Sequence, residues 1–440
     1  MLKVKFYFSD FIALLIAILT LSEMFTSMGL GSFWGFLDEI MAIICIPLIG
    51  LGMLKGRYNK IDWLIILASI LLLFIGLLGN IIYKYRTDIY LISLDVLATF
   101  KGVFYYLGFK ALQLSSRQSI RIINGAARLF FVLMIVLIPF ALLNLVTDIG
   151  MGSEYVFGIR AFKFVFSGAG NCSLIFYVII SVIIFKTSIQ KKYFLWDKIY
   201  LVAALFLWTA TLRSRAIAFV VIFLALAIFV FYLNRKRLFK IRLWYVLLTA
   251  IVVLFIAYDK IILYFQNENT ARYNLLYYGF VTLKNCFPIG SGFATYGSAV
   301  AADYYSPLYW EYGFNNIHGL SPGNTSFSSD GLWGEVLGQF GLLGTICFCF
   351  IFLAMFIYPY RKAKDNYDKF AYLYVGIILL LGSIGTKTVM HFVISPIFIL
   401  LPLKLKVKKD FCYVRELNHA ENNGFYPHVQ PRGNVEQSFR

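Results

Sequence analysis

Three arginines in this sequence have the chemistry and the placement of phosphate ligands. Arg213 and Arg215 lie in a short polar turn between two apolar runs, and Arg272 follows the end of another. A guanidinium keeps its charge at every working pH, and its planar fork binds phosphate through two hydrogen bonds. The charge alone equally allows a second interpretation, in which these side chains anchor the protein to lipid headgroups.

Three side chains between residues 265 and 337 are candidates for proton transfer. His318 is a histidine, the residue type that titrates near neutral pH and so suits a general base, although a histidine beside aromatic residues is often structural. Asp330 and Glu335 supply carboxylates just before a glycine-rich apolar run. His318, Asp330 and Glu335 are therefore the predicted catalytic residues.

The same region contains side chains that suit a carbohydrate. It is rich in tyrosine, tryptophan and phenylalanine, whose flat faces stack on the apolar faces of sugar rings. Tyr296 and Trp310 are the predicted aromatic contacts to substrate. The segment before Tyr296 carries Gly290 and Gly292, which allow either a plain turn or a close approach of the backbone to a ligand.

The composition places these candidates in a membrane protein. Of 440 residues, 60% are hydrophobic and 14% are charged, against about 45–50% and about 25% in soluble domains. The apolar excess is distributed in runs long enough to cross a bilayer, which takes about 20 residues. Disordered chains, secreted disulfide scaffolds and soluble enzymes are excluded. The six cysteines suggest neither a disulfide framework nor a zinc site, and no nucleotide-binding motif is present.

The apolar runs predict an all-α polytopic integral membrane protein with about twelve transmembrane helices. The predicted spans are 7–28, 37–54, 62–83, 89–110, 127–147, 168–186, 196–212, 216–234, 243–264, 338–359, 370–386 and 388–404. The fourth span contains Asp95 and Lys101, whose spacing prevents them from pairing along one helix face. We expect both to face the bundle interior, in a helix–helix contact or a contact to a lipid phosphate.

The net charge of +18 follows from this topology. With a cytoplasmic N-terminus, most Lys and Arg residues fall in cytoplasmic loops, as the positive-inside rule requires, so the charge needs no nucleic-acid partner. Both termini are then cytoplasmic. The chain divides into nine helices within 1–264, a long external loop domain at 265–337, three helices within 338–404 and a polar tail at 405–440.

The order of these features resembles a known family. Ser214-Arg215-Ala216, Arg272, the segment from Pro288 to Tyr296 and the stretch from Asp330 to Gly344 are similar to the motifs of the O-antigen polymerase (Wzy) and O-antigen ligase superfamily. The resemblance covers the whole chain as architecture and residues 211–344 as motif. It implies a GT-C-like glycosyltransferase of the bacterial inner membrane that works without metal, nucleotide or other cofactor.

The resemblance also implies roles for individual residues. Arg215 and Arg272, with Arg213 beside them, would bind the pyrophosphate of an undecaprenyl-linked glycan at the external membrane face. His318, Asp330 or Glu335 would take the proton of the acceptor, a hydroxyl of a second lipid-linked repeat unit. The partners are thus two lipid-linked glycans and the bilayer, and the family leaves room for a chain-length regulator.

Two alternatives stay open. A ligase would transfer finished glycan to lipid A core, but its histidine lies closer to the helix that follows than His318 does here, and Gly319 replaces the usual polar neighbour. A flippase or transporter of lipid-linked sugars usually has short external loops and two related halves. The single long loop therefore favours a polymerase.

Overall fold

The computed structural model describes residues 7–156, 158–233, 270–328 and 330–405, with scattered positions between 244 and 268. The predicted ninth span at 243–264 lies largely outside the described residues, and so does the tail beyond residue 405.

The described chain is mostly α-helical, and nine of its helices are long and apolar enough to cross a membrane. The helices are α1 (Phe8–Ser27), α2 (Leu37–Leu54), α3 (Lys60–Tyr83), α4 (Ile89–Ala111), α5 (Ser116–Val146), α6 (Ala169–Gln190), α7 (Leu195–Ala210), α8 (Ser214–Ile228), α9 (Ala271–Asn285), α10 (Ala299–Asp303), α11 (Pro307–Glu311), α12 (Leu332–Arg361), α13 (Asn366–Gly385) and α14 (Phe392–Leu405). A hairpin of β1 (Gly152–Val156) and β2 (Ile159–Phe162) follows α5. The prediction of a polytopic, essentially helical membrane protein is confirmed.

Several boundaries differ from the predicted spans. α5 begins at Ser116 rather than 127, because Ser115 and Gln118 form a capping box that starts the helix early. α12 begins at Leu332 rather than 338, so the predicted loop ends sooner. The hairpin was not predicted. Two predicted spans correspond to short helices, since α7 has 16 residues and α14 fewer than 18.

α6 is the central helix of the bundle. In its most apolar 18-residue window, 89% of residues are buried, and it packs against α5, α7 and α13. Polar side chains of α6 form hydrogen bonds within the protein, because hydrocarbon offers no hydrogen-bond partner. The indole of Trp208 donates to Ser173 Oγ at 2.9 Å, and the hydroxyl of Tyr177 donates to the carbonyl of Val375 at 2.8 Å.

The helices run back and forth, so the connections collect at two ends of the bundle. We call one the basic end; it holds the connections 55–59, 112–115, 191–194 and 362–365. The other, the loop end, holds the connections 28–36, 84–88, 147–168, 211–213, 270–331 and 386–391. Cross-contacts support the assignment: Lys191 pairs with Asp365 at 2.6 Å, and Arg86 Nη2 donates to the carbonyl of Tyr304 at 3.2 Å.

Asp95 and Lys101 of α4 are both buried and have separate partners. Lys101 Nζ lies 2.7 Å from an oxygen of Asp38 on α2. Asp95 instead accepts a hydrogen bond from the amide of Ala294 at 2.6 Å. The expectation that both face the interior without pairing with each other is confirmed, and their partners are protein groups.

Candidate functional site

The segment from Pro288 to Tyr296 is bound by α3 and α4 at the loop end. The Asn80 side chain accepts from the Phe293 amide at 2.8 Å and donates to the Phe293 carbonyl at 2.9 Å. Asp95 accepts from the next amide, that of Ala294. A buried carboxylate and a buried amide side chain thus satisfy backbone groups that hydrocarbon would leave unpaired. The segment is held in place by the bundle itself.

The segment from Pro288 to Tyr296 also packs against a break in α12. Gly341 has φ 62° and ψ −161°, a conformation that interrupts the helix and requires glycine. A Cβ on Gly341 would lie 2.3 Å from the carbonyl oxygen of Pro288, and one on Gly290 would lie 2.4 Å from the Gly341 nitrogen. Gly292 donates to the carbonyl of Gln339 at 2.9 Å. The close approach that Gly290 and Gly292 allow is made to α12, so their contact with a ligand stays a prediction.

The two predicted aromatic contacts lie in different environments. Tyr296 is fully buried, its hydroxyl donates to the carbonyl of Leu275 at 2.7 Å, and its ring packs against Tyr309. Burial raises the pKa of Tyr296 well above its ordinary value, so the phenol stays neutral. Trp310 is 57% exposed and meets Tyr305 edge to face. Of the two, only Trp310 offers a free face for stacking on a sugar.

A buried ion pair joins α12 to the connection between α13 and α14. Lys387 Nζ lies 2.5 Å from Glu335 Oε2, and the two side chains are only 12% and 3% exposed. Lys387 also donates to the carbonyl of Gly297, just beyond the bound segment. Glu335, a predicted catalytic residue, is therefore covered by protein and paired with a lysine.

Arg215, on α8, also contacts the connection between α13 and α14. It lies in the first turn of α8, where Nη1 donates to Thr386 Oγ1 at 2.6 Å and Nη2 donates to the carbonyl of Gly170 at 3.2 Å. Thr386 directly precedes Lys387, so the residue that Arg215 binds and the residue that pairs with Glu335 are neighbours in the chain. Arg213 instead pairs with Glu154 of β1 at 2.5 Å. The two neighbouring arginines thus serve different parts of the loop end.

Arg272 and Asp330 are bonded to each other. Nη2 of Arg272 lies 2.7 Å and Nε 3.2 Å from Asp330 Oδ2, and the side chains are 23% and 24% exposed. Thr270 caps α9 and fixes the first turn, from which Arg272 projects. A predicted phosphate ligand and a predicted base therefore form one half-buried pair that remains open to solvent.

His318 lies on the surface of the loop region. Its Nε2 is 3.4 Å from Asn324 Nδ2, and its ring is 6.2 Å from that of Phe327. Within the part of the chain that the structure describes, no hydrogen bond or ion pair joins it to Asp330, Glu335 or an arginine. The structure does not bring His318 together with the other candidates.

Lys387 is the residue at this site that the sequence analysis did not single out. The available signal was the one that marked Arg213 and Arg215, a basic residue at the end where basic residues are few. That signal is weak for Lys387, because it is the single residue between the predicted spans 370–386 and 388–404.

The loop end therefore carries Arg215 bonded to Thr386, the ion pair of Lys387 and Glu335, and the half-buried pair of Arg272 and Asp330, in a region rich in aromatic side chains. Such an arrangement has positive charge for an anion and a carboxylate for a proton. Comparison of the chain with models of protein families, with curated proteins and with solved structures finds no match.

Proposed function

We propose that this chain is a GT-C-like polymerase of undecaprenyl-pyrophosphate-linked oligosaccharide repeat units in the bacterial inner membrane. Its product would be an O-antigen, a capsule or an exopolysaccharide. One observation carries the proposal: Arg215, in the first turn of α8, binds Thr386, the residue before Lys387, at the end of the bundle where the aromatic region folds.

The electrostatics of that place suit a lipid pyrophosphate. Arg215 lies at the N-terminus of α8, where the helix dipole adds positive potential to the guanidinium charge. Lys387, the residue after Thr386, is held in place by its ion pair with Glu335 and so fixes the position of this connection. Fixed positive charge of this kind stabilises a leaving group more in the transition state than in the ground state, because negative charge develops there as the bond breaks.

The reaction is a glycosyl transfer between two lipid-linked glycans. The acceptor hydroxyl oxygen forms a bond to the anomeric carbon of the donor, and the bond from that carbon to the phosphate oxygen breaks. Undecaprenyl pyrophosphate leaves with the electron pair, and the hydroxyl proton passes to a base. Neither a nucleotide nor a metal is needed to balance this step.

Asp330 is the carboxylate best suited to be that base. Its side chain is 24% exposed and is oriented by Arg272, whereas the side chain of Glu335 is 3% exposed and holds Lys387. We therefore assign proton transfer to Asp330 and a positioning role to Glu335. His318, on the surface, is the alternative base. Trp310 would stack on a sugar of the acceptor.

The test is complementation of a strain that lacks this gene, followed by gel separation of surface glycan. Arg215→Ala and Arg272→Ala should each leave a single repeat unit on the acceptor and no long chains. Arg121→Ala is the matched control, because Arg121 is exposed at the basic end, where it pairs with Asp10 and lies over the ring of Tyr7. Normal chain length in both loop-end variants would contradict the proposal.

The knockout itself separates the three candidate functions. One repeat per acceptor supports a polymerase. Free lipid-linked polymer would instead identify a ligase, and repeat units retained on the cytoplasmic side would identify a flippase.

A further inference from the structure

A cavity lies at the basic end, opposite the candidate site. It has a volume of about 700 Å³ and is bounded by the ends of α4, α12 and α14 and by the first turn of α5. One wall is apolar, with Phe109, Leu114 and Leu403 among its residues. Because all four helices are at their ends here, the cavity opens where the apolar interior gives way to water.

The lining of the cavity is also basic. Its cations are Arg57, Lys110, Arg361, Lys362 and Lys364. Among the described residues that line the cavity, none is an aspartate or a glutamate. Arg57 donates to the carbonyl of Ala111, and Lys110 is bonded to Asp62. Arg361 and Lys364 are exposed and make no ion pair with any residue that the structure describes. The cavity therefore carries a net positive charge that the described protein does not neutralise.

A buried hydroxyl in the lining points independently to a ligand. Ser119 is 0% exposed, and its Oγ has no hydrogen-bond partner among the residues that the structure describes. Native proteins rarely leave a buried polar side chain unpaired, because its desolvation is then uncompensated. An oxygen-rich ligand in the cavity would supply the missing acceptor.

We propose that this cavity binds the phosphate headgroup of an anionic membrane phospholipid. The cations and the Ser119 hydroxyl would bind the phosphate oxygens, and an acyl chain would lie along the apolar wall. Basic pockets between transmembrane helices are the sites that such headgroups prefer. Inorganic phosphate would leave the apolar wall in water, so the geometry favours a lipid.

Thermal unfolding of the full-length protein in detergent tests the proposal. Phosphatidylglycerol should raise Tm at least about twofold more than phosphatidylcholine, because a ligand that binds only the folded state stabilises it. The excess should shrink at high salt, and inorganic phosphate should not reproduce it. Equal effects of the two lipids would overturn the proposal. An equal effect of inorganic phosphate would assign the cavity to a free anion and would also overturn it.

Variants show whether the phosphatidylglycerol effect arises at this cavity. Arg361→Gln with Lys364→Gln should remove most of the phosphatidylglycerol excess. Lys192→Gln with Lys198→Gln removes the same charge from exposed positions of the basic end that do not line the cavity, and should keep it.

Ser119→Ala should change the unfolding temperature without lipid and the gain from phosphatidylglycerol in different directions. Without lipid it should unfold at the same or a higher temperature, since it removes an unpaired hydroxyl, while its gain from phosphatidylglycerol should fall. A full gain in the cavity variants would overturn the proposal.

Discussion

Lys387 Nζ lies 2.5 Å from Glu335 Oε2, and this buried pair joins the α13–α14 connection to the first turn of α12. Both charges are removed from water, so each depends on the other for compensation. Lys387 directly follows Thr386, the residue that Arg215 binds. The ion pair and the proposed anion site therefore lie on successive residues of one connection.

Removing one member of this pair should destabilise the protein strongly. Lys387→Met leaves the Glu335 carboxylate buried without a cation, which costs about 3–5 kcal/mol. Lys387→Met with Glu335→Leu should recover much of that loss, because no buried charge is then left alone. Thermal unfolding in detergent measures both. Arg121→Ala, from an exposed ion pair screened by water, should cause little loss of stability. A single variant as stable as the control would contradict the argument.

The break in α12 should tolerate no side chain. Gly341→Ala puts a Cβ 2.3 Å from the Pro288 carbonyl at a φ of +62°. We expect a loss of about 1–3 kcal/mol from the backbone conformation and a further 1–3 kcal/mol from overlap, or roughly 2–6 kcal/mol in all. Gly31→Ala is the matched control, because Gly31 has φ 107° and ψ 153°, in the same glycine-only region, with open space around it, and should show the first loss only. Equal thermal shifts in the two variants would disprove the contribution of the overlap.

Arg215 should not be replaceable by lysine. Its two terminal nitrogens bind Thr386 Oγ1 and the carbonyl of Gly170, a geometry that one ammonium cannot reproduce. Arg215→Lys should therefore reduce long-chain glycan at least about tenfold in the complementation assay while protein level is maintained. Wild-type chain length in Arg215→Lys would show that charge alone suffices there.

The two ends of the bundle should face opposite sides of the membrane. A cysteine at exposed Tyr304, at the loop end, should react with a membrane-impermeant maleimide in intact spheroplasts. A cysteine at exposed Lys364, at the basic end, should react only after lysis. The reverse pattern would invert the proposed orientation.

The native Cys286 provides an internal control for that labelling. It lies at the loop end, but it is 2% exposed, and burial raises the pKa of its thiol to about 11. Little reactive thiolate is therefore present at neutral pH, and maleimide labelling should be much slower than at Tyr304→Cys. Equal labelling rates would show that this part of the loop end opens.

Much of the fold could be predicted from the sequence because membrane helices are specified locally. Length and apolarity of a run decide whether it can span, and the spacing of Asp95 and Lys101 excludes a direct pair within one helix. Helix boundaries were less accurate, since capping at Ser115 and the early start at Leu332 depend on a few hydrogen bonds at the helix ends.

The assembly of the candidate site was decided by tertiary structure alone. Glu335 meets Lys387, and Arg272 meets Asp330, across separations of about fifty residues or more that no local pattern encodes. Gly290 looked like part of a ligand loop, and only packing revealed that it meets the break in α12. The sequence by itself determined which segments leave water. The fold decided which polar groups meet inside, because in hydrocarbon each of them must find a partner from another helix or loop.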